Sequence, residues 1–267
     1  MKHTTVDVTF LGTGDAFSVG RRDNLALLIT AGDFHTLVES GPSIVHQLYR
    51  ANRRAVEIER LFVSHSHGDH ALGFPMLTLH RLWEPPPLHV YANANTVAAL
   101  NTLCETVYPD FDSGFLNIRW HELPDEPART QVAEGVTLRT VGVPHPPGVP
   151  TLAARWDFDG GPSVTFVTDT YPNDAALELA RGSDLLINET NFSATLQPDV
   201  DFGRYFHSTA QQAGEIARQA GCPRLALVHL GPVGGEHPDM LAQEARAGSD
   251  LHVIVPEDGE RIRVDKK

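Results

Sequence analysis

Cysteine is almost missing from this chain: Cys104 and Cys222 are the only two in 267 residues. Anything beyond a single disulfide is thereby excluded, and a chain of this size is expected to keep both thiols reduced. Neither cysteine stands in a ligand pair, so any bound metal has to be held by nitrogen and oxygen. A run of about 18 apolar residues, long enough to span a bilayer, is also lacking. Met1 to Phe10 passes directly into alternating apolar residues without a charged-then-apolar leader, and a cytoplasmic protein is the expectation. Positive charge is scarce too: 21 Lys and Arg face 34 Asp and Glu, a net charge of -13. A protein that grips a long polyanion needs clustered basic residues to displace counterions. A small-molecule substrate is therefore expected, and long nucleic acid is not. The tightest basic group, Arg50, Arg53 and Arg54, reads as a solvated helix end.

What remains is an ordinary globular composition, 41% hydrophobic, enough to bury a sizeable core. Thr4–Leu11, Asn24–Thr30 and His35–Glu39 alternate like strands, the last two joined by a turn at Ala31-Gly32-Asp33. Pro42–Ala51 has helical spacing, Ile58–Ser64 is a short apolar run, and Leu88–Ala92 and Asn95–Cys104 read as strand and helix. In the second half, strands are expected at Val136–Val143, Thr151–Phe158, Ser163–Thr168, Asp184–Asn188 and Leu225–Val228. Helices are expected at Asp174–Ala180, Thr209–Ala220 and, as the final one, Met240–Ala247. Such alternation, with hairpins mixed in, points to an α/β fold of two packed sheets covered by helices. No linker divides the chain, so one domain over residues 1–267 is expected.

The densest chemical signal is His65-Ser66-His67-Gly68-Asp69-His70, directly after an apolar strand. Imidazole is the commonest neutral nitrogen ligand of zinc-like ions, and carboxylate oxygen completes such sites. On an extended segment His65 and His67 point to one side, and Gly68 lets the chain turn so that Asp69 and His70 address a neighbouring position.

This run resembles the HxHxDH signature of the metallo-β-lactamase superfamily. The resemblance implies an αββα sandwich of two mixed sheets flanked by helices, with two metals at the sheet edges. It also implies further ligands. His145, which alone reads as a loop residue between prolines, matches the third histidine of the first metal. Asp169, ending a strand, matches the aspartate that bridges both metals, and His229, ending another, matches the last ligand of the second. His65, His67 and His145 then hold one ion, Asp69, His70 and His229 the other. The ions are expected to be Zn2+, with Mn2+ or Fe as alternatives.

Three further segments are similar to the ribonuclease Z branch: Phe10-Leu11-Gly12-Thr13-Gly14 with Arg22 and Asn24, Leu186–Phe192, and His207-Ser208-Thr209-Ala210. The resemblance implies that Glu189 and His207 pair beside the metals, with His207 donating a proton to the leaving group. Read singly, Glu189 is a surface carboxylate and His207 a helix cap. As a pair, a carboxylate fixes the tautomer of the histidine and raises its pKa, which suits a general acid. Two departures stand out. Ribonuclease Z enzymes carry a tRNA-clamping arm between the third histidine and the bridging aspartate, whereas here only a hairpin through Asp157 to Gly161 fits. The family's Asp-Cys-Gly is replaced by Glu39-Ser40-Gly41-Pro42, closer to phosphodiesterase relatives that act on small cyclic phosphates, with Glu39 left to orient a ligand histidine.

The expected activity is a dinuclear phosphodiesterase of small or cyclic phosphodiesters, working through a metal-bridging hydroxide, with His207, Glu189 and Asp69 as catalytic residues. The alternatives are hydrolysis of a carboxylic or sulfate ester or a lactone, tRNA 3′-end cleavage, and a non-catalytic metal-binding regulator. Pro85-Pro86-Pro87 and Pro144 to Pro150 are expected to wall an apolar pocket for an ester substrate. A homodimer is implied by the resemblance alone.

Overall fold

The structure is a computed structural model that describes residues 5–17, 21–82, 86–110 and 116–266. Its first half runs β1 (Thr5–Gly12), β2 (Ala26–Ala31), β3 (Phe34–Val38), α1 (Ile44–Arg50), β4 (Arg60–Phe62), α2 (Gly68–Ala71), α3 (Phe74–Leu79), β5 (Leu88–Asn93), α4 (Ala94–Val107) and β6 (Ile118–Leu123). Then follow β7 (Ala128–Ala133), β8 (Val136–Val143), β9 (Thr151–Phe158), β10 (Ser163–Val167), α5 (Asp174–Ala180), β11 (Leu185–Glu189) and α6 (Ala210–Ala220). The chain ends with β12 (Arg224–Val228), α7 (Pro232–Gly235), α8 (Pro238–Arg246), β13 (His252–Ile254) and β14 (Arg261–Asp265). Thr4 and Pro85, named above, lie outside the described residues.

These strands form two seven-stranded sheets, ordered β14-β1-β2-β3-β4-β5-β6 and β13-β12-β11-β10-β9-β8-β7. Each is half antiparallel and half parallel. The hairpin from β1 through β3 gives way to the parallel run β3 to β6. In the other sheet the antiparallel β7 to β10 gives way to the parallel run β10 to β13. Helices follow only the parallel halves, because a parallel pair needs a long crossover.

Three apolar layers account for the stacking. Between the sheets pack Val6, Val8, Phe10, Ile29, Phe62, Leu138, Trp156 and Phe166, with Phe62 and Trp156 edge to face at 5.7 Å. A second layer lies under α1, α3 and α4, including Ile44, Leu48, Phe74, Leu77 and Leu100. A third lies under α5, α6 and α8, including Leu179, Ala213, Ala217 and Leu241. The result is the expected αββα sandwich. Helix α6 also has the expected punctuation: Thr209 and Gln212 form a reciprocal capping box, and Gly221 ends the helix at φ +70°.

The departures from expectation fall at the polar margins. Strands β6, β7, β13 and β14 and helix α3 were not anticipated, and the chain continues past α8 to return β14 against β1. Between His145 and Asp169 stands only the β9–β10 hairpin, closed by a turn around Gly160.

Candidate metal centre

Every expected site residue lies at the C-terminal end of a strand or in the connection that follows it, the place where open α/β sheets gather their chemistry. His65 and His67 follow β4, His145 follows β8, Asp169 follows β10, Glu189 ends β11 and His229 follows β12. The turn after His67 is made by the short helix α2, which carries Asp69 and His70. Gly68 opens that helix without a positive φ, so the turn expected there is a helical one. Close loop packing holds α2 in place: a Cβ on Gly41 would meet the Asp69 carbonyl oxygen at 2.0 Å.

The side chains converge. Donor atoms of His65, His67, His145 and Asp169 lie within 4.8 Å of one another, and so do those of Asp69, His70 and His229. Asp169 faces both groups. Its Oδ2 is 3.6 Å from His65 Nε2 and 3.5 Å from His70 Nε2, and its Oδ1 is 3.4 Å from His229 Nε2. Asp69 Oδ2 is 3.2 Å from His70 Nε2 and 3.3 Å from His229 Nε2. The facing ring nitrogens His145 Nε2 and His67 Nδ1 are 3.2 Å apart.

Buried contacts orient these groups. Ser64 Oγ lies 2.8 Å from His65 Nδ1, and the Thr168 hydroxyl donates to Asp169 Oδ1 at 2.6 Å. Glu39 Oε2 lies 3.4 Å from His70 Nδ1 while its carboxylate accepts the Ser64 N–H at 3.3 Å. The backbone turns sharply at these points: Glu39, Asp169 and His229 all have positive φ, at 67°, 43° and 55°. Such strain in non-glycine residues gathers where a site needs a fixed aim.

Charge follows the same division. Burial, with His70 adding to it, pushes His65 well below its ordinary pKa, and burial brings His145 down to about 4. Burial also disfavours charge on His229, but Asp169 and Asp69 outweigh it and lift the ring to about 9. His70 rises likewise, burial being overcome by Asp169, Asp69 and Glu39. Burial works to raise both aspartates, yet the surrounding imidazoles hold them well below the carboxylate range. The carboxylates and the His65 and His145 imidazoles are thus in the forms a divalent ion requires, whereas an ion bound by His70 and His229 would have to displace their protons.

The residues fit such an ion. His65 Nε2 and His70 Nε2 are wholly buried and have no hydrogen-bond partner, whereas buried polar atoms are ordinarily satisfied. Lone pairs aimed into a cluster of imidazoles and carboxylates are what a divalent ion completes.

His207 stands beside the cluster, its ring stacked on His229 at 5.5 Å between centroids. Its Nδ1 is 3.4 Å from Glu189 Oε1, an ion-pair distance without hydrogen-bond alignment. Burial opposes its charge, but Glu189 prevails and raises its pKa. Glu189 is no surface carboxylate. It is fully buried and accepts backbone N–H groups of Ser208 at 2.6 Å, Asn191 at 3.0 Å and Thr170 at 3.4 Å.

A cavity of about 580 Å³ opens over His67, Asp69, Asp169, His207 and His229. Its other walls are Phe17, Phe192, Val200, Tyr205 and Val233, with Asp15, Asn191 and Gln197 as polar members. The expected proline wall is therefore a misreading: Pro86, Pro87 and Pro144 to Pro150 are absent from the described lining, and Pro85 is outside the described residues. Sequence reasoning missed Asp15, which accepts from Asn191 Nδ2 at 2.9 Å and from the Phe17 N–H at 2.8 Å. Its place directly after Gly12-Thr13-Gly14 was the available signal.

Comparison with known proteins agrees with this arrangement. A family profile described as "Beta-lactamase superfamily domain" matches residues 35–230. Ribonuclease Z of Parasynechococcus marenigrum is 30% identical, with 91% of this chain and 93% of that protein covered. Their alignment runs to 302 positions, more than this chain possesses, so the relative carries residues that have no counterpart here. Among solved structures, the metallo-beta-lactamase fold protein YhfI from Bacillus subtilis superposes with a TM-score of 0.79 at 24% identity, covering 97% of this chain and 99% of that one. Human tRNase Z, short form, superposes with a TM-score of 0.79 at 22% identity, covering 96% and 98%. The chain belongs to the beta-lactamase superfamily, as a metal-dependent hydrolase of its ribonuclease Z-like branch.

Proposed function

We propose that this hydrolase cleaves small or cyclic phosphodiesters, with two divalent ions, most readily Zn2+, held between its two ligand groups. His65, His67 and His145 would hold one ion and Asp69, His70 and His229 the other, with Asp169 facing both groups. Divalent ions bound there supply Lewis acidity to a phosphoryl oxygen and acidify water. The chain's own residues do the rest. Glu39 and Ser64 fix the ring orientations of His70 and His65, and Asp69 aligns His70 with His229. Glu189 locks the loops that carry Asp169 and His207, and His207 offers its proton at the edge of the cavity.

The observation that carries this reading is His207, a protonatable histidine outside the seven ligands, facing the same cavity and backed by the buried Glu189. A phosphodiester needs a proton at its departing oxygen, and general-acid catalysis contributes about 10²- to 10⁴-fold. The β9–β10 hairpin leaves no room for a tRNA-clamping arm, and the net charge of -13 opposes long nucleic acid. Residues 1–267 are read as one domain, because β14 returns to pair with β1.

The apolar cavity favours a second reading, hydrolysis of a carboxylic ester or lactone. Turnover of bis(p-nitrophenyl) phosphate and p-nitrophenyl acetate by metal-loaded protein separates the two. Phosphodiester turnover that collapses in His207→Ala supports the first reading. Ester turnover without phosphodiester turnover replaces it with the second.

A further inference from the structure

Seven large hydrophobic side chains are exposed among the described residues, and three of them, Phe17 at 79%, Tyr205 at 52% and Val233 at 42%, border the one cavity over the metal ligands. They come from three separate segments of the chain. Phe17 follows β1, Tyr205 precedes α6, and Val233 sits on α7. The Phe17 and Val233 loops are tied together where the Leu230 N–H donates to the Thr13 carbonyl at 2.9 Å and the Asp15 N–H to the Leu230 carbonyl at 3.2 Å.

From Tyr205, aromatic rings step inward from solvent. Tyr205 is 5.7 Å from Phe192, Phe192 is 6.2 Å from His207, and His207 is 5.5 Å from His229. The polar members of the wall are neutral or occupied, for Asp15 is engaged by Asn191 and the Phe17 backbone. No Lys or Arg is among the described lining residues. Arg21 is paired with Glu236 at 2.6 Å, Arg22 is held by Thr13, Pro256 and Glu257, and Arg204 is exposed beside Tyr205 without lining the cavity.

We infer that the wall of Phe17, Phe192, Tyr205 and Val233 is a specificity pocket for the leaving group, and that this group is a flat aromatic. The inference rests on the phosphodiesterase reading for its chemistry. Tyr205 and Phe192 lead directly to His207, the proton donor in that reading, so whatever lies against them is attached to the oxygen that departs. A ring placed there trades water for aromatic contacts with fixed geometry preferences. A leaving group bearing further phosphates would find no cationic side chain in the lining. The substrate class is thus a small phosphodiester with an aryl leaving group and a single phosphate.

Calorimetric titration of metal-loaded protein with phenylphosphonate and methylphosphonate tests this independently of turnover. The expected result is at least about tenfold tighter binding of phenylphosphonate, with the preference falling towards unity in Phe17→Ala and Tyr205→Ala while methylphosphonate affinity stays the same. Both side chains are half or more exposed, so these variants are expected to fold, and circular dichroism checks that they do. Equal affinities in the wild type, or a preference that survives both substitutions, overturns the inference. Failure of bis(p-nitrophenyl) phosphate turnover would instead remove the phosphodiesterase reading and leave the binding result standing.

Discussion

Glu39 and His70 meet in full burial, with the carboxylate Oε2 3.4 Å from the ring Nδ1 and neither side chain exposed. That contact turns Nε2 of His70 towards Asp69 and Asp169. A carboxylate behind a ligand histidine fixes its ring and raises its basicity, and losing one typically costs 10- to 100-fold in metal affinity. Glu39→Gln, which keeps the volume, is expected to weaken the metal by about that factor in a chelator competition. Unchanged affinity would show that Glu39 serves only to hold the Ser64 backbone.

His207 is expected to matter for turnover and not for metal content. Replacing it with alanine should lower kcat by about 10²- to 10⁴-fold while metal analysis of the variant matches the wild type. A variant that loses metal would place His207 among the ligands, in keeping with its donor atom lying within 4.8 Å of those of Asp169 and His229.

Trp156 is 1% exposed between the sheets and packs edge to face on Phe62. Trp156→Ala should cost about 3–5 kcal/mol in urea unfolding, since no side chain nearby is free to fill so large a space in a close-packed layer. A loss below about 1 kcal/mol, the level of an ordinary surface change, would contradict this placement.

Cys104 is buried under α3, its thiol 3.9 Å from the Thr78 hydroxyl. Burial pushes its pKa from the usual 9.0 up to about 11. The raised value contributes stability that is intact below pH 9 and is lost as pH climbs through about 11. Cys104→Ala is expected to flatten the fall in stability over that interval. In the native protein at pH 8 the thiol should resist Ellman's reagent, because the thiolate is the reactive form. Rapid reaction before unfolding would contradict its burial.

Much of this was legible in the chain because the signals are local. Val136–Val143 alternates and Thr151–Phe158 is apolar along most of its length, and the two match β8 and β9 in full. The ligand run from His65 to His70 needs only a strand before it. What escaped has physical reasons. Ile118–Leu123 is polar at three of six positions and Arg261–Asp265 at three of five, as edge strands often are, so no apolar run marks them. Phe17 and Tyr205 carry no motif, because their role comes from the folding together of loops nearly 190 residues apart. The proline wall failed for the same reason: abundance along the chain does not say which loop faces the cavity.

The most direct test of the account is the metal count. Mass-spectrometric metal analysis of purified protein, dialysed after loading, should give two divalent ions per chain for the wild type and at most one for Asp169→Ala. One ion or none in a wild type that still turns over its substrate would contradict the assignment of two ligand groups joined by Asp169.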